Sequence, residues 1–319
     1  MLSATILVGD AVERLRTIGG GVAQTCVTSP PYFGLRDYGH DGQIGLEGSV
    51  GDYVTALVAV FAEVRRVLAD DGTLWLNLGD SYYPHGGSRG NKNPAGDTLR
   101  GRKNNYQPAP KIQNADNTIK AKDLLGIPWR VAFALQADGW YLRSEVIWHK
   151  PNPMPESVTD RPTKSHETIF LLAKQERYFY DAEAIKEPAV SKDDKRNGGG
   201  RHTYNGKRSE NDGLVQQSFV TVTDTRNKRS VWTVTTKGYK GAHFATYPPE
   251  LIEPCVLAGS REGDTVLDPF SGSGTTGEVA LLHNRNYVGT ELNPEYADIS
   301  VNRITNAIGM LGQVTLERE

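Results

Sequence analysis

The sequence predicts an α/β fold, a doubly wound and mostly parallel sheet of seven strands that carries basic loop inserts. Short apolar segments typical of strands alternate along the chain with segments whose apolar residues recur at helical spacing. A glycine-rich turn near residue 270 joins an apolar strand to a helix, as in sheets that bind ligands at their carboxyl edge. The expected strands span residues 5–8, 24–28, 73–78, 144–148, 168–172, 265–267 and 287–290.

Helices are expected between several of these strands. Residues 54–68 carry apolar side chains at positions 54, 57, 58, 61, 64, 67 and 68, the stripe of a helix with one buried face. Residues 128–137 show a similar pattern, and residues 275–282 and 294–310 are also expected to be helical. Residues 230–234 form a further short β-like run. A chain of 319 residues can bury one sizeable α/β core and carry an insertion.

Composition excludes several classes of protein. The hydrophobic content of 38% is ordinary for a soluble enzyme, and no apolar run approaches the roughly 18 residues of a membrane span. The first residues lead into a strand without the features of a signal peptide, so we expect a cytoplasmic protein with no membrane partner. Two cysteines, Cys26 and Cys255, are too few for a disulfide framework or a zinc site, and we expect no metal.

Basic charge is concentrated in two segments, although the whole chain carries a formal net charge of only −2. Residues 84–120 contain 7 Lys and Arg against 2 acidic residues, and residues 186–240 contain 12 against 6. These segments carry +5 and +6, which leaves −13 for the rest of the chain. Because phosphate neutralisation dominates nucleic-acid affinity, we expect the segments to contact nucleic acid, the alternative being solvated surface charge. The candidate contacts are Arg89, Lys92, Arg100, Arg102, Lys103, Arg201, Lys207 and Arg208.

A rigid corner follows the second predicted strand, where Ser29-Pro30-Pro31-Tyr32 places two prolines between a hydroxyl and an aromatic ring. Each proline lacks an N–H group and favours an extended conformation in the residue before it, so the carbonyls of Ser29 and Pro30 point outward. A planar base could stack on Tyr32 while its exocyclic amine donates to Ser29 Oγ and the Pro30 carbonyl. A simple proline-rich turn is the alternative.

A second motif follows the strand at 265–267, which ends in Asp268 and leads into a turn with Gly272 and Gly274. The glycines allow close approach of the backbone to a ligand, and the next helix presents unpaired N–H groups to it. Gly277 completes a G-x-G-x-x-G spacing, so a dinucleotide site is one alternative. The carboxylate of Asp268 disfavours it, because this charge would repel a pyrophosphate and attract a sulfonium cofactor with an amino-acid tail.

The strand at 287–290 ends in Glu291. An acidic residue about 20 positions after a glycine-rich turn is the usual acceptor for the two hydroxyls of a ribose. The sequence therefore predicts that Glu291 binds a nucleoside, with a solvated loop acid as the alternative.

The early motif at 29–32 and the late Asp-Pro-Phe-x-Gly-x-Gly-Thr motif at 268–275 together resemble those of a known family, the amino-group DNA methyltransferases of the permuted beta class. These enzymes use S-adenosylmethionine to methylate N4 of cytosine or N6 of adenine. The resemblance covers most of the chain and implies a circularly permuted, Rossmann-like methyltransferase fold. Further matching segments are residues 6–10, 72–80, 144–151, 166–172 and 243–248.

The resemblance implies a role for each matching residue. The segments at 144–151 and 166–172 match the strand pair that flanks the target-base pocket of the family. Residues 243–248 match the segment that lines the methionine end of the cofactor site, and Asp10 matches the residue that contacts the cofactor adenine. The expected catalytic residues are Ser29, Pro30, Pro31 and Tyr32. The expected cofactor contacts are Asp10, Thr28, Tyr247, Asp268, Phe270, Ser271, Gly272, Gly274, Thr275, Thr276, Glu291 and Asn293.

We expect three regions along the chain. Residues 1–185 form the catalytic part of the methyltransferase domain, with a mobile basic insert over about 84–122 that is rich in Gly and Asn. Residues 186–236 form a target-recognition insert, and residues 237–319 form the cofactor-binding part. DNA is the expected partner, with a restriction endonuclease acting on the same site as a further one, and the protein is expected to be a monomer or a homodimer.

The expected chemistry follows from the weak nucleophilicity of an exocyclic amine. Two acceptors, Ser29 Oγ and the Pro30 carbonyl, would hold its two N–H bonds and aim the lone pair at the methyl group. Duplex DNA hides the amine, so the base must be flipped out, and Phe33 or Trp148 could cover its second face. Methylation at carbon 5 of cytosine would need a cysteine nucleophile, whereas Cys255 lies in an apolar helical pattern and Cys26 in a strand.

The base itself is less strongly specified. In the family, Ser at the first motif position accompanies N4 of cytosine, whereas Asp or Asn accompanies N6 of adenine. A neutral Ser29 cannot by itself exclude adenine, so we expect N4-methylcytosine with N6-methyladenine as the alternative. A DNA-binding protein that no longer turns over is a weaker alternative, as is methylation of RNA or of a protein glutamine.

Overall fold

A nine-stranded sheet organises the part of the chain that the structure, a computed structural model, describes: residues 2–35, 37, 39–83, 119–189, 224–236, 247–309 and 312–318. A separate two-stranded antiparallel sheet pairs residues 187–188 with residues 225–226. The strands are β1 (Leu2–Val8), β2 (Ala23–Thr28), β3 (Leu68–Leu78), β4 (Tyr141–His149), β5 (His166–Ala173), β6 (Glu187–Pro188), β7 (Thr225–Arg226), β8 (Val231–Thr233), β9 (Thr265–Asp268), β10 (Asn286–Glu291) and β11 (Gly312–Glu317).

Six helices connect these strands within the described residues. They are α1 (Ala11–Thr17), α2 (Val50–Val67), α3 (Ile127–Ala137), α4 (Pro249–Gly259), α5 (Thr275–Leu282) and α6 (Pro294–Ile308). Helix α2 begins four residues before the predicted stripe, because Ser49 Oγ accepts a hydrogen bond from the Asp52 N–H and caps it. None of the described helices is both long enough and apolar enough to cross a bilayer.

The strand order in the large sheet is β11-β1-β10-β9-β2-β3-β5-β4-β8. The first six strands are mutually parallel, β5 runs antiparallel to both of its neighbours, and β8 pairs parallel with β4. The predicted α/β class and the mostly parallel sheet are confirmed. The predicted count of seven strands is wrong, because β8 and β11 add one strand at each edge. Both extra strands are short or half-exposed and lack a fully apolar run.

The two faces of the sheet are covered by different helices. Leu74, Leu76 and Leu78 of β3 pack into one apolar cluster with residues of α1, α2 and α3. Trp75, between them in the chain, belongs to the opposite cluster, which contains residues of α4, α5 and α6. Successive side chains of a strand point to opposite faces, so β3 is buried on both sides. This arrangement is the doubly wound architecture that the sequence predicts.

Close packing of α5 against the sheet gives a test of the fold. A Cβ atom added at Gly277 would lie 2.5 Å from Ile304 Cδ1 and 2.8 Å from the ring of Tyr287, whose hydroxyl is held by Ser271 Oγ at 2.9 Å. We expect Gly277→Ala to lower the free energy of unfolding by about 1–2 kcal/mol, because overpacking outweighs the helical propensity of Ala. Urea denaturation measures this change.

The matched control is Gly48→Ala, where an added Cβ meets no atom within 4 Å. We expect its unfolding free energy to stay within about 0.5 kcal/mol of the parent value. Equal effects of the two substitutions would contradict the packing of α5 described above.

Candidate active site

A cavity opens where four parallel strands end. Gly9 and Asp10 line it after β1, residues 29–32 after β2, residues 269–273 after β9, and residues 291–293 after β10. The two sequence motifs, more than 200 residues apart, meet here because β2 pairs with β9 in the sheet. The carboxyl edge of a doubly wound sheet is the usual position of a ligand site.

Most of the predicted cofactor residues line this cavity. They are Asp10, Tyr247, Phe270, Ser271, Gly272, Thr275, Glu291 and Asn293. Four others, Thr28, Asp268, Gly274 and Thr276, lie behind its wall instead. The cavity is therefore built from two layers, one that faces the ligand space and one that holds the first in place.

Asp268 is the centre of the second layer. Its side chain is 1% exposed and accepts hydrogen bonds from Thr28 Oγ1 at 2.6 Å, Thr276 Oγ1 at 2.7 Å, the Phe270 N–H at 3.0 Å and the Tyr247 hydroxyl at 3.3 Å. Asp268 thus lies behind the cavity surface and is held by donors of the protein, while its attraction for a charged cofactor stays a prediction. Burial raises the pKa of Asp268 to about 6, and the hydrogen bonds oppose that rise.

The glycine-rich turn adopts backbone conformations that other residues avoid. Gly272 has φ of 52° and Gly274 has φ of 79°, both in the left-handed region. A Cβ atom at Gly274 would also lie 2.4 Å from Ser300 Oγ. Glycine at both positions thus allows the turn to enter α5 and bring its backbone to the cavity surface.

Glu291 connects the turn to the end of β10. Its Oε2 accepts from the Gly272 N–H at 2.8 Å and its Oε1 accepts from the Asn293 N–H at 2.9 Å. Burial raises the pKa of Glu291 to about 7, and the hydrogen bonds from backbone N–H groups oppose that rise. A carboxylate that lines the cavity at this position has the chemistry to accept hydroxyl donors from a ligand.

The proline corner forms a second wall of the cavity. Ser29, Pro30, Pro31 and Tyr32 all line the cavity. The ring of Tyr32 packs against the end of β3, where a Cβ atom at Gly79 would lie 2.4 Å from Tyr32 Cε2. Only glycine at this position leaves room for the ring, and the half-buried ring is held in one orientation.

Phe33 and Trp148 do not line the cavity. Phe33 is 2% exposed and packs against Tyr53, with ring centroids 5.3 Å apart. Trp148 is 3% exposed, and its Nε1 donates to the Val234 carbonyl at 2.8 Å. The expectation that one of these rings covers a second face of the base is wrong for this structure, because both are core residues.

A polar cluster behind Tyr32 was not predicted from the sequence. The Tyr32 hydroxyl donates to Glu167 Oε2 at 2.7 Å, and Asn77 Nδ2 donates to both groups, at 3.0 Å to Tyr32 and 3.1 Å to Glu167. Lys150 forms an ion pair with the other oxygen of Glu167. The available signal was Asn77, the one polar residue in the buried run at 74–78 of β3.

Burial explains the protonation states of nearby hydroxyl and thiol groups. The pKa of Tyr32 lies well above its usual value because the phenol is buried, with a further contribution from Glu167. Tyr32 therefore stays a neutral hydrogen-bond donor. Burial likewise raises the pKa of the Cys26 and Cys255 thiols, and neither residue lines the cavity. Neither cysteine has the thiolate character of a nucleophile.

The predicted phosphate contacts fall outside the described residues. They are Arg89, Lys92, Arg100, Arg102, Lys103, Arg201, Lys207 and Arg208. Their contact with nucleic acid stays a prediction from the charge pattern of the sequence.

Comparison with known proteins gives consistent matches over most of the chain. The sequence profile of the N6/N4 family, described as DNA methylase, matches residues 23–302. The type II methyltransferase M.Cfr9I of Citrobacter freundii is 50% identical over 94% of this chain and 87% of its own length. The type II methyltransferase M.SmaI of Serratia marcescens is 48% identical over 95% of this chain and 91% of its own length.

Solved structures share the fold at lower identity. PvuII DNA methyltransferase, described as cytosine-N4-specific, superposes with a TM-score of 0.61 at 18% identity and covers 98% of this chain and 94% of its own. A putative DNA modification methylase from Thermus thermophilus, solved with S-adenosyl-L-methionine, has a TM-score of 0.57 at 22% identity and covers 98% and 99% of the two chains.

The role of Asp268 as an anchor can be tested through stability. We expect Asp268→Ala to lower the free energy of unfolding by at least about 3 kcal/mol, because each buried donor left without an acceptor costs about 1–3 kcal/mol. Chemical denaturation of the protein without ligand measures the effect. Asp268→Asn should lower the free energy of unfolding by less than Asp268→Ala does, because the amide oxygen of Asn can still accept hydrogen bonds.

The control is Asp298→Ala, which removes a half-exposed ion pair with Arg318. We expect a loss below about 1 kcal/mol for this surface pair. An Asp268→Ala protein as stable as the Asp298→Ala protein would show that the hydrogen bonds to Asp268 do not support the cavity.

Proposed function

We propose that this chain, which belongs to the N6/N4 family of DNA methylases, transfers a methyl group from S-adenosylmethionine to N4 of a cytosine flipped out of DNA. The observation that carries the proposal is the placement of the Ser29 corner and the glycine-rich turn in the lining of one cavity. One wall suits a nucleoside cofactor and the other suits a planar base with an amine. Methylation of N6 of adenine is the alternative, since Ser29 alone does not exclude it.

The residues of the first wall fit the proposed cofactor. Glu291 lines the cavity with a carboxylate that can accept the ribose hydroxyls, and Asp10 lines it where the adenine amine would donate. The left-handed backbone at Gly272 leaves the main chain uncovered by a side chain. Tyr247 and Phe270 complete this wall near the methionine end. S-Adenosylmethionine, when bound, supplies an electrophilic methyl group on a positively charged sulfur.

The second wall prepares the base for attack. Ser29 Oγ and the Pro30 carbonyl accept the two N–H bonds of the amine, which moves the nitrogen toward tetrahedral geometry and directs its lone pair. Flipping the base out of the duplex costs a few kcal/mol, and stacking on Tyr32 offsets about 1–3 kcal/mol of it. Catalysis therefore depends on positioning, with no cysteine nucleophile.

Several broader features belong to the same proposal. The catalytic motif precedes the glycine-rich motif in the chain, which supports a circularly permuted, beta-class order. Residues 1–185 and 237–319 then form the catalytic and cofactor-binding parts, with a target-recognition insert at 186–236. The substrate is DNA at a specific site, as for type II enzymes. A restriction endonuclease for the same site and a monomeric or homodimeric state complete the proposal.

Nucleoside analysis tests the reaction and the base together. The protein is incubated with unmethylated DNA and S-adenosylmethionine, and the digested nucleosides are identified by mass spectrometry. We expect N4-methylcytosine, and we expect Ser29→Ala to reduce it on the order of 10- to 100-fold because the amine loses an acceptor. Detection of N6-methyladenine would change the assigned target base from cytosine to adenine. The absence of any methylated base would favour a DNA-binding protein without turnover.

Cofactor affinity should depend on pH through Glu291. Burial raises the pKa of this acid to about 7, so its ionised form, which accepts both ribose hydroxyls, dominates only above that pH. We expect the dissociation constant for S-adenosylmethionine to rise by about tenfold as the pH falls from 8 to 6, because the ionised fraction of an acid with a pKa of about 7 falls from roughly nine-tenths to roughly one-tenth over this range. Isothermal titration calorimetry across this range measures the change.

Glu291→Gln is the control for other titrating groups, including those of the cofactor and Asp268. We expect weaker binding whose remaining pH dependence is small between pH 6 and 8. A parent protein with the same pH profile as the Gln variant would contradict the assignment of Glu291 to the ribose.

A further inference from the structure

Three groups form a hydrogen-bonded chain that begins at the cavity and ends at a buried carboxylate. Ser29 Oγ donates to the Tyr32 hydroxyl at 3.3 Å, and the Tyr32 hydroxyl donates to Glu167 Oε2 at 2.7 Å. Ser29 and Tyr32 line the cavity, whereas Glu167 does not. Because an ionised carboxylate only accepts, the chain has a defined direction away from the cavity.

Asn77 holds this direction in place. Its side chain is 4% exposed, and its Nδ2 lies 3.0 Å from the Tyr32 hydroxyl and 3.1 Å from Glu167 Oε2. The opposite amide orientation would point a carbonyl oxygen at the carboxylate, which is electrostatically unfavourable. The Tyr32 oxygen thus accepts from Ser29 and Asn77, and its single hydrogen goes to Glu167.

Lys150 provides the counter-charge at the end of the chain. It forms an ion pair with Glu167, and the two side chains are only 17% and 15% exposed. The ammonium group also lies 4.1 Å from the centre of the Trp148 ring, on whose face a cation is attracted. Glu167 therefore has a partner of opposite charge as well as hydrogen-bond donors from Tyr32 and Asn77, as a shielded carboxylate requires.

We propose that Glu167 is a positioning residue that acts through Tyr32 to make the neutral Ser29 hydroxyl a strong acceptor for the substrate amine. Ser29 has given its only hydrogen to Tyr32 and accepts only a long hydrogen bond from Asn77 Nδ2, at 3.5 Å, so its oxygen can still accept from a ligand at the cavity surface. A chain of hydrogen bonds that ends in a carboxylate polarises each member. This proposal rests on the proposed function, because it requires an exocyclic amine in the corner.

The same chain accounts for the proton that the reaction releases. The amine nitrogen forms a bond to the methyl carbon, the carbon–sulfur bond breaks with its electron pair remaining on sulfur, and the nitrogen then loses one proton. That proton moves to Ser29 Oγ as Ser29 gives its own to Tyr32 and Tyr32 gives its own to Glu167. One carboxylate becomes a carboxylic acid, which later returns the proton to solvent, and Lys150 stays cationic.

A double-mutant cycle tests the proposal. Single-turnover methylation rates are measured for the parent protein, Tyr32→Phe, Glu167→Gln and the double variant. We expect each single substitution to slow methylation on the order of 10- to 100-fold, the range of a hydrogen bond to a charged group. Once Tyr32 lacks its hydroxyl, replacing Glu167 should have little further effect, so the double variant should match the slower single variant.

Two further measurements separate positioning from general damage. In Glu167→Gln, the dissociation constants for S-adenosylmethionine and for DNA should change less than about threefold, because Glu167 does not line the cavity. A change of about threefold is well below the effect expected from the loss of one hydrogen bond. The matched control is Glu63→Gln, which removes a carboxylate paired with Arg66 away from the cavity and should leave the rate unchanged. Multiplicative effects in the cycle, or an unchanged rate in Glu167→Gln, would overturn the proposal.

The identity of the methylated nucleoside, measured on the same samples, tests the proposed function separately. If the parent protein yields N6-methyladenine, the cytosine assignment fails while the cycle still decides the role of Glu167. If the parent yields N4-methylcytosine and the effects in the cycle are multiplicative, the positioning proposal alone fails.

Discussion

The cavity depends on the buried carboxylate of Asp268 and the donors that surround it. Hydrogen bonds from Thr28, Thr276 and Tyr247 join β2, α5 and the segment before α4 to the end of β9. Thr276 Oγ1 also contacts the Val27 carbonyl at 3.2 Å, so the same cluster connects the two motif-bearing strands twice. A carboxylate can accept from several donors at once, whereas a neutral residue at this junction would leave some of them unpaired. Because this cluster joins the strands that carry the two motifs, it fixes the two parts of the cavity lining relative to each other.

The proposed reaction uses two acids, Glu291 at the cavity surface and Glu167 behind Tyr32, and the protein gives them different surroundings. Glu291 receives only backbone N–H groups, so burial favours its neutral form and raises its pKa to about 7. Glu167 instead faces the ammonium of Lys150 and two side-chain donors. A carboxylate that accepts neutral ribose hydroxyls needs no fixed counter-charge, whereas one that polarises a chain of hydroxyl groups must stay ionised. The surroundings of each acid therefore match its proposed task, ribose binding for Glu291 and polarisation of the hydroxyl chain for Glu167.

The parts of the fold and site that could be predicted from the sequence are those with local causes. Proline and glycine impose backbone conformations on the two motif turns, and apolar periodicity marks the buried strands and helices. The edge strand β11 gives little apolar signal because it is half-exposed, and β8 gives only the short β-like run at 230–234. The position of Asp268 behind the wall was missed, since a motif shows which residues are close in sequence and not which donors reach them. Tyr32, Asn77 and Glu167 are separated by 45 to 135 positions, so no local pattern relates them.

The direction of β5 explains how these distant residues meet. In a parallel sheet the residues that follow each strand collect at one edge, and the residues that precede it lie at the other. Because β5 runs antiparallel to β3, its first residues lie at the edge of the sheet that carries the cavity, with Thr168 opposite Leu78 and Ile169 opposite Asn77. Glu167, one position earlier, therefore reaches Tyr32, while β4 brings Lys150 to the same edge through the pairing of Trp148 with Glu167. An antiparallel hairpin in an otherwise parallel sheet thus supplies an acid and its counter-charge to a corner whose own residues are uncharged.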